Sequence, residues 1–182
     1  MSAARIAPID PPYTPDVQAA FDVVMRGAAP LKLFRTVAHN PRALQRLMAG
    51  GLLDRGSISM RHRELMILRT TALCGAEYEW GVHVAAFAAK AGLSEAEWRA
   101  TAGGADPGSW SEQDRLVLQL AQALYDTHTV DDELWAALAA AFEPPQSIEL
   151  IMLAGQYHGI AFLLNALRIE REPGTPRWGA GT

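Results

Sequence analysis

Apolar residues recur along this chain at three- and four-residue spacing, and strict apolar–polar alternation is nearly absent. The pattern predicts helices throughout. Thr14-Pro15-Asp16 supplies an N-cap, a proline at the first helical position and an acidic first turn. The helix it opens should run to Arg26 and stop at Gly27. Asn40-Pro41 repeats the start signal for residues 42–53. Ser57 or Ser59 caps a helix carrying Leu65, Leu68 and Leu73 that ends near Gly75, and a further helix should run from about Glu77 to Gly92. Ser94-Glu95-Ala96-Glu97 is a capping box opening a short helix. Residues 102–109 read as a loop. Ser111 then starts a helix with Leu116, Leu120, Ala123 and Leu124 on one face. Asp131 or Asp132 caps the next, which ends near Phe142, and Pro144-Pro145 precede a long helix over residues 146–168. The tail, 172–182, has no periodicity and is expected to be irregular.

These elements amount to an all-α bundle of about eight helices with short connections. The 182 residues suit one domain, 1–182, with a real core. An apolar fraction of 49% with 20% charged residues fits a soluble globular chain. Net charge is −4 with no Lys/Arg cluster, so neither nucleic acid nor an anionic membrane is an expected partner. The start, from Met1 to Pro8, lacks the apolar core of a signal peptide, and no uninterrupted apolar run approaches ~20 residues. The single cysteine, Cys74, cannot form an internal disulfide. With the absence of a signal it leads to an expectation of a cytoplasmic protein.

The candidate chemistry lies in Arg63-Glu64-Leu65-Met66-Ile67-Leu68-Arg69 and in Cys74-Gly75-Ala76-Glu77-Tyr78-Glu79-Trp80-Gly81-Val82-His83. Glu64, Glu79 and His83 are ionisable groups in or beside apolar helical sequence. Glu79 and His83 are four apart and share a helix face. A carboxylate beside an imidazole there is a general acid/base pair. Each residue also has a structural reading: Glu64 as a surface carboxylate paired with Arg61 or Arg69, Glu79 as an acidic residue at a helix N-terminus, His83 as a satisfied core histidine. Tyr78 and Trp80 either line a substrate pocket or pack between helices. Tyr157 and His158 bring polar groups into the apolar last helix and are the other candidates for substrate binding. Gly155 and Gly159, four apart, would let another helix approach closely. A metal would have to join Glu79 and His83 with His62 or His158. No tight ligand spacing supports that, so neither metal nor cofactor is expected.

The spacing Glu64, Ala76, Glu79, His83 resembles the carboxymuconolactone decarboxylase family, which includes the alkylhydroperoxidase-D-like enzymes. The peroxidase branch carries Glu, eleven residues, Cys, two residues, Cys, three residues, His. Here the Glu and the His stand in register while Ala76 and Glu79 occupy both cysteine positions. The resemblance is clearest over residues 33–92. It implies an all-helical, oligomeric fold, trimer-based or dimeric, and a proton relay containing Glu64 and His83.

With no cysteine pair, the resemblance points to a carboxymuconolactone decarboxylase-like lyase rather than a thiol peroxidase. Its expected substrate is a small lactone or carboxylate, and its expected reaction is proton transfer with C–C cleavage or isomerisation, carried by Glu64, Glu79 and His83. Arg61, Arg63 or Arg69 would hold a substrate carboxylate, and the sequence leaves open which. Two alternatives stand beside this reading: an alkylhydroperoxidase-like antioxidant activity, which lacks its thiols here, and a non-catalytic small-molecule binder or scaffold.

Overall fold

Local capping chemistry sets most of the helix starts. In the computed structural model, which describes residues 4–179, Asn40 accepts a hydrogen bond from Ala43 N (3.1 Å), Ser59 from His62 N (3.1 Å) and Asp131 from Leu134 N (2.8 Å). Ser94 with Glu97, and Ser111 with Asp114, form reciprocal capping boxes. The described residues contain nine α-helices and no strand: α1 (Pro15–Met25), α2 (Lys32–Val37), α3 (Pro41–Ala49), α4 (Met60–Leu73), α5 (Glu77–His83), α6 (Glu95–Ala100), α7 (Glu112–Thr127), α8 (Asp132–Ala141) and α9 (Pro144–Leu167).

Three elements differ from the sequence reading. The short α2 carries no start signal of its own. It forms because Leu33, Thr36 and Val37 are buried and Tyr78 Oη accepts from Leu33 N at 3.1 Å. Helix α3 ends at Ala49 rather than at residue 53, since Gly50-Gly51 favour leaving the helix. The helix expected from Glu77 to Gly92 keeps α geometry only to His83 and continues as one π-helical turn, Val84–Ala88. Such insertions recur at functional sites. The tail is irregular from residue 170 to 179, and residues 180–182 of the irregular-tail expectation lie outside the described residues, as do residues 1–3 of the start.

Helix α4 is the axis of the fold, packed against α5, α7 and α9. Four consecutive residues, Leu65, Met66, Ile67 and Leu68, are fully buried. A helix with neighbouring residues buried on every side has no solvent face there. Each of these side chains contributes about 1.5–3 kcal/mol, and any polar residue within the same turns is drawn inside with them.

By length and composition α9 would also suffice to cross a membrane. No uninterrupted apolar run marks it in the sequence, because Gln156-Tyr157-His158 interrupt the helix. Its inward face, including Leu150, Leu153, Tyr157, Ile160 and Leu164, belongs to the core.

The tail folds back over α5. Arg171 Nη2 donates to the carbonyls of Thr175 (2.6 Å) and Pro176 (2.8 Å), and Trp178 packs on Trp80 with ring centroids 5.6 Å apart. A Cβ on Gly81 would lie 2.7 Å from Pro176 O, so glycine is what lets the tail cross the helix here.

Candidate functional site: a buried carboxylate–imidazole cluster

Helices α4, α5 and α9 each deliver one part of the site. Glu64 is 0% exposed, His83 3%, Glu79 6% and Tyr157 2%. Glu64 Oε2 lies 2.8 Å from His83 Nδ1. On the other side of the ring, His83 Nε2 is 3.1 Å from Tyr157 Oη and 3.6 Å from Glu79 Oε1. The α-helical repeat places Glu79 one turn before His83, and α9 carries Tyr157 against the same nitrogen.

Arg63 completes the arrangement. Its Nε donates to Glu64 Oε1 at 2.9 Å and its Nη1 to Leu53 O at 2.8 Å. Glu64 therefore meets a guanidinium on one oxygen and an imidazole on the other. Its surface reading, with Arg61 or Arg69 as partner, does not hold. Arg61 instead bridges Glu97 and Asp114, and Arg69 bonds Thr101 O and Gln122.

The charges around His83 set its protonation. Burial alone would lower its pKa, but the hydrogen bonds and negative charges of Glu64 and Glu79 outweigh it and raise the pKa to about 9. The ring is an imidazolium at neutral pH, with Nδ1–H donated to Glu64 and Nε2–H facing Tyr157 and Glu79. Burial, then the charges of Glu79 and Glu64, push the Tyr157 phenol well above its ordinary range. Tyr157 stays protonated, so a hydroxyl accepting from Nε2–H keeps its own proton for another acceptor. Glu79 Oε2 is buried and makes no hydrogen bond. A buried unpartnered carboxylate oxygen is costly and is an acceptor held ready for a donor.

The other predicted binding residues fall elsewhere. Tyr78 Oη donates to Glu172 Oε1 (2.7 Å) on the tail side of α5, and Trp80 Nε1 donates to Thr101 Oγ1 (2.9 Å) beneath the tail. Both tie the tail and α6 to α5 and make no hydrogen bond or ring contact with His83. His158 stacks with Tyr125 and lies at a tilt beside Phe162 along a groove of about 430 Å³ between α7 and α9. Of the four, Tyr157 alone reaches His83. Sequence reasoning passed over Phe87, whose ring lies 5.2 Å from that of His83 and 5.3 Å from the Arg63 guanidinium carbon. Its four-residue spacing from His83 was the available signal. Among the described residues no three His, Cys, Asp or Glu side chains are grouped to hold a metal.

The model of the carboxymuconolactone decarboxylase family matches residues 39–123. The chain carries a carboxymuconolactone decarboxylase family segment over these residues. The matched segment runs from the start of α3 into α7, further than the resemblance expected over 33–92, and takes in Glu64, Glu79 and His83 but not Tyr157 or the tail. No curated protein matches the chain.

Solved structures place the fold of the chain among alkylhydroperoxidase-D-like folds. The debrominase Bmp8, in a variant complexed with 2,3,4-tribromopyrrole, superposes with a TM-score of 0.78 at 16% identity, covering 94% of this chain and 93% of that one. An uncharacterized peroxidase-related protein from Silicibacter sp. TM1040 gives 0.78 at 16% identity over 92% and 91%. A peroxidase-related alkylhydroperoxidase core from Ralstonia eutropha gives 0.70 at 15% over 94% and 95%. Likenesses this distant establish the shared helical fold.

Proposed function

We propose that the chain is an acid/base enzyme that moves a proton in step with C–C cleavage or isomerisation on a small lactone or carboxylate. The fold selects no reaction by itself, since its neighbours include a debrominase and peroxidase-related proteins. The observation that carries the reading is the buried set of Glu79 and Tyr157 facing His83 Nε2, with Glu64 behind Nδ1.

Glu79 takes a proton from carbon beside a substrate carbonyl, and the electron pair moves onto the carbonyl oxygen. The Nε2–H of His83 and the Tyr157 hydroxyl stabilise that oxyanion by donating to it. His83 then returns a proton to carbon, completing isomerisation. Where a carboxylate leaves as carbon dioxide, the same proton fills the vacated position. Glu64 holds the ring tautomer and stabilises the imidazolium. Positioned groups of this kind contribute about 10²–10⁴-fold each.

A thiol peroxidase draws no support from Cys74. It caps α4, is half-buried, and burial raises its pKa, whereas peroxidatic chemistry needs a thiolate. A panel of small lactones and carboxylic acids incubated in D₂O tests the acid/base reading. Deuterium uptake or carbon dioxide release should fall about 10²-fold or more in His83→Gln and in Glu79→Gln, with unfolding measured on the same samples. The double variant should be little worse than the worse single one. Full exchange in both single variants would sink the mechanism, and peroxide turnover lost in Cys74→Ser would replace it.

A further inference from the structure

Between the Leu53–Ile58 loop and the start of α4 lies a cavity of about 200 Å³, walled by Leu53, Gly56, Ile58, Met60, Arg63 and Glu149. We propose that this cavity binds a small carboxylate with an apolar body, and that Arg63 is the residue that holds it. The proposal rests on the acid/base reading of the neighbouring cluster and names a residue and a cavity beside Glu64 that would hold a carboxylate.

Among the described residues Arg63 is the one arginine that borders both the cavity and the buried cluster. Of its five N–H groups, aligned hydrogen bonds use one at Nε, to Glu64, and one at Nη1, to Leu53 O. Nη2 is buried, lies 2.8 Å from Glu64 Oε1 as an ion pair, and makes no hydrogen bond. With Nη2 turned to Glu64, the second N–H of Nη1 is left for a ligand, on a side chain that is 7% exposed. A guanidinium N–H suits a carboxylate, to which it gives a short charge-assisted hydrogen bond.

The rest of the cavity fits the same ligand. Leu53, Ile58 and Met60 offer an apolar wall. Glu149, a carboxylate at the cavity edge, turns its Oε2 to Ser57, accepting from Ser57 N (2.6 Å) and from Ser57 Oγ (2.5 Å). Its headgroup packs where a side chain on Gly56 would otherwise sit. Two exposed charges of opposite sign, Asp54 and Arg55, also border the cavity. The volume is below the ~300–1,000 Å³ of drug-sized pockets, which restricts the ligand to a few carbons beside its carboxylate. Arg61 and Arg69, the other cations on α4, border neither the cavity nor Glu64.

Sodium butyrate and its neutral isostere butyramide are the probes, added to the full chain. Arginine Nε–H signals are followed by ¹H–¹⁵N NMR, with the Arg63 signal identified by its loss in Arg63→Lys. Butyrate should move that signal to saturation and butyramide should not. Calorimetry should show butyrate binding weakened about tenfold or more in Arg63→Lys, the cost of one hydrogen bond to a charged group. Filling the cavity with Ile58→Trp should abolish the response. If that variant does not fold, Leu53→Trp fills it from the loop. His83→Gln should bind butyrate as the wild type does, so loss of proton transfer and loss of this site are read separately. An Arg63 signal indifferent to butyrate, or equally responsive to butyramide or in the filled cavity, overturns the assignment.

Discussion

Glu64 Oε2 sits 2.8 Å from His83 Nδ1 across the α4–α5 contact, with both side chains buried. The other Glu64 oxygen binds Arg63, so one buried carboxylate is shared by two cations, with Glu79 as the second acidic group beside His83. Breaking such an arrangement by removing one partner is far costlier than never having built it.

Replacing Glu64 with Gln should lower the His83 pKa toward or below 6.5, since burial then acts with only Glu79 opposing it. The same change leaves the Arg63 guanidinium without its counter-ion and should destabilise the fold by about 3–5 kcal/mol. Imidazole ¹⁵N shifts against pH and urea unfolding give the two numbers. An imidazole titration identical to the wild type would remove Glu64 from the relay.

The stability of the fold should depend on pH through His83. Its folded pKa of about 9 exceeds the ordinary 6.5, so the folded state binds the extra proton between these values. The contribution is fully present below about pH 6.5 and is lost as pH rises through 9. It is on the order of 3 kcal/mol. The melting temperature should fall from pH 6.5 to 9.5, and His83→Gln should flatten that slope. Equal slopes in the two proteins would mean that other groups control it.

Gly81→Ala should loosen the tail from α5. Alanine favours the helix by about 0.5–1 kcal/mol, but its Cβ meets Pro176 O at 2.7 Å and the Thr175 side chain at 3.3 Å, and relieving that overlap costs about 1–3 kcal/mol. We expect a net loss of stability, a red-shifted tryptophan emission as Trp178 leaves Trp80, and faster proteolysis after residue 170. A more stable variant with an unchanged spectrum would show that the tail yields freely.

The outer face of α9 should be a contact between copies of this chain. Ile148, Met152 and Phe162 are 59%, 58% and 65% exposed, and Gly155 and Gly159 between them have open space above their Cα atoms. An apolar stripe of this kind with a helix backbone accessible in its middle suits a second helix. Light scattering should find an oligomer, and Met152→Lys with Phe162→Lys should yield a folded smaller species. A wild-type monomer at micromolar concentration would contradict this.

Helix starts were legible because capping is local. Asn40, Ser59, Ser94, Ser111 and Asp131 each satisfy backbone N–H groups within three residues of themselves. The Glu79–His83 pairing was legible for the same reason, since it lies within one helical turn. Tertiary structure alone decided the rest. Glu64 is buried because α4 has neighbours on every side, which its own sequence, an apolar run flanked by arginines, does not encode. Tyr157 reaches His83 while Tyr78, Trp80 and His158 do not, because which face of α5 or α9 meets α4 depends on how three helices pack. Arg63 rather than Arg61 or Arg69 joins the cluster because Asp114 and Glu97, more than thirty residues away, hold Arg61 elsewhere. Short-range hydrogen bonds are written into neighbouring letters; the partners of a buried charge are fixed only once the chain has closed around it.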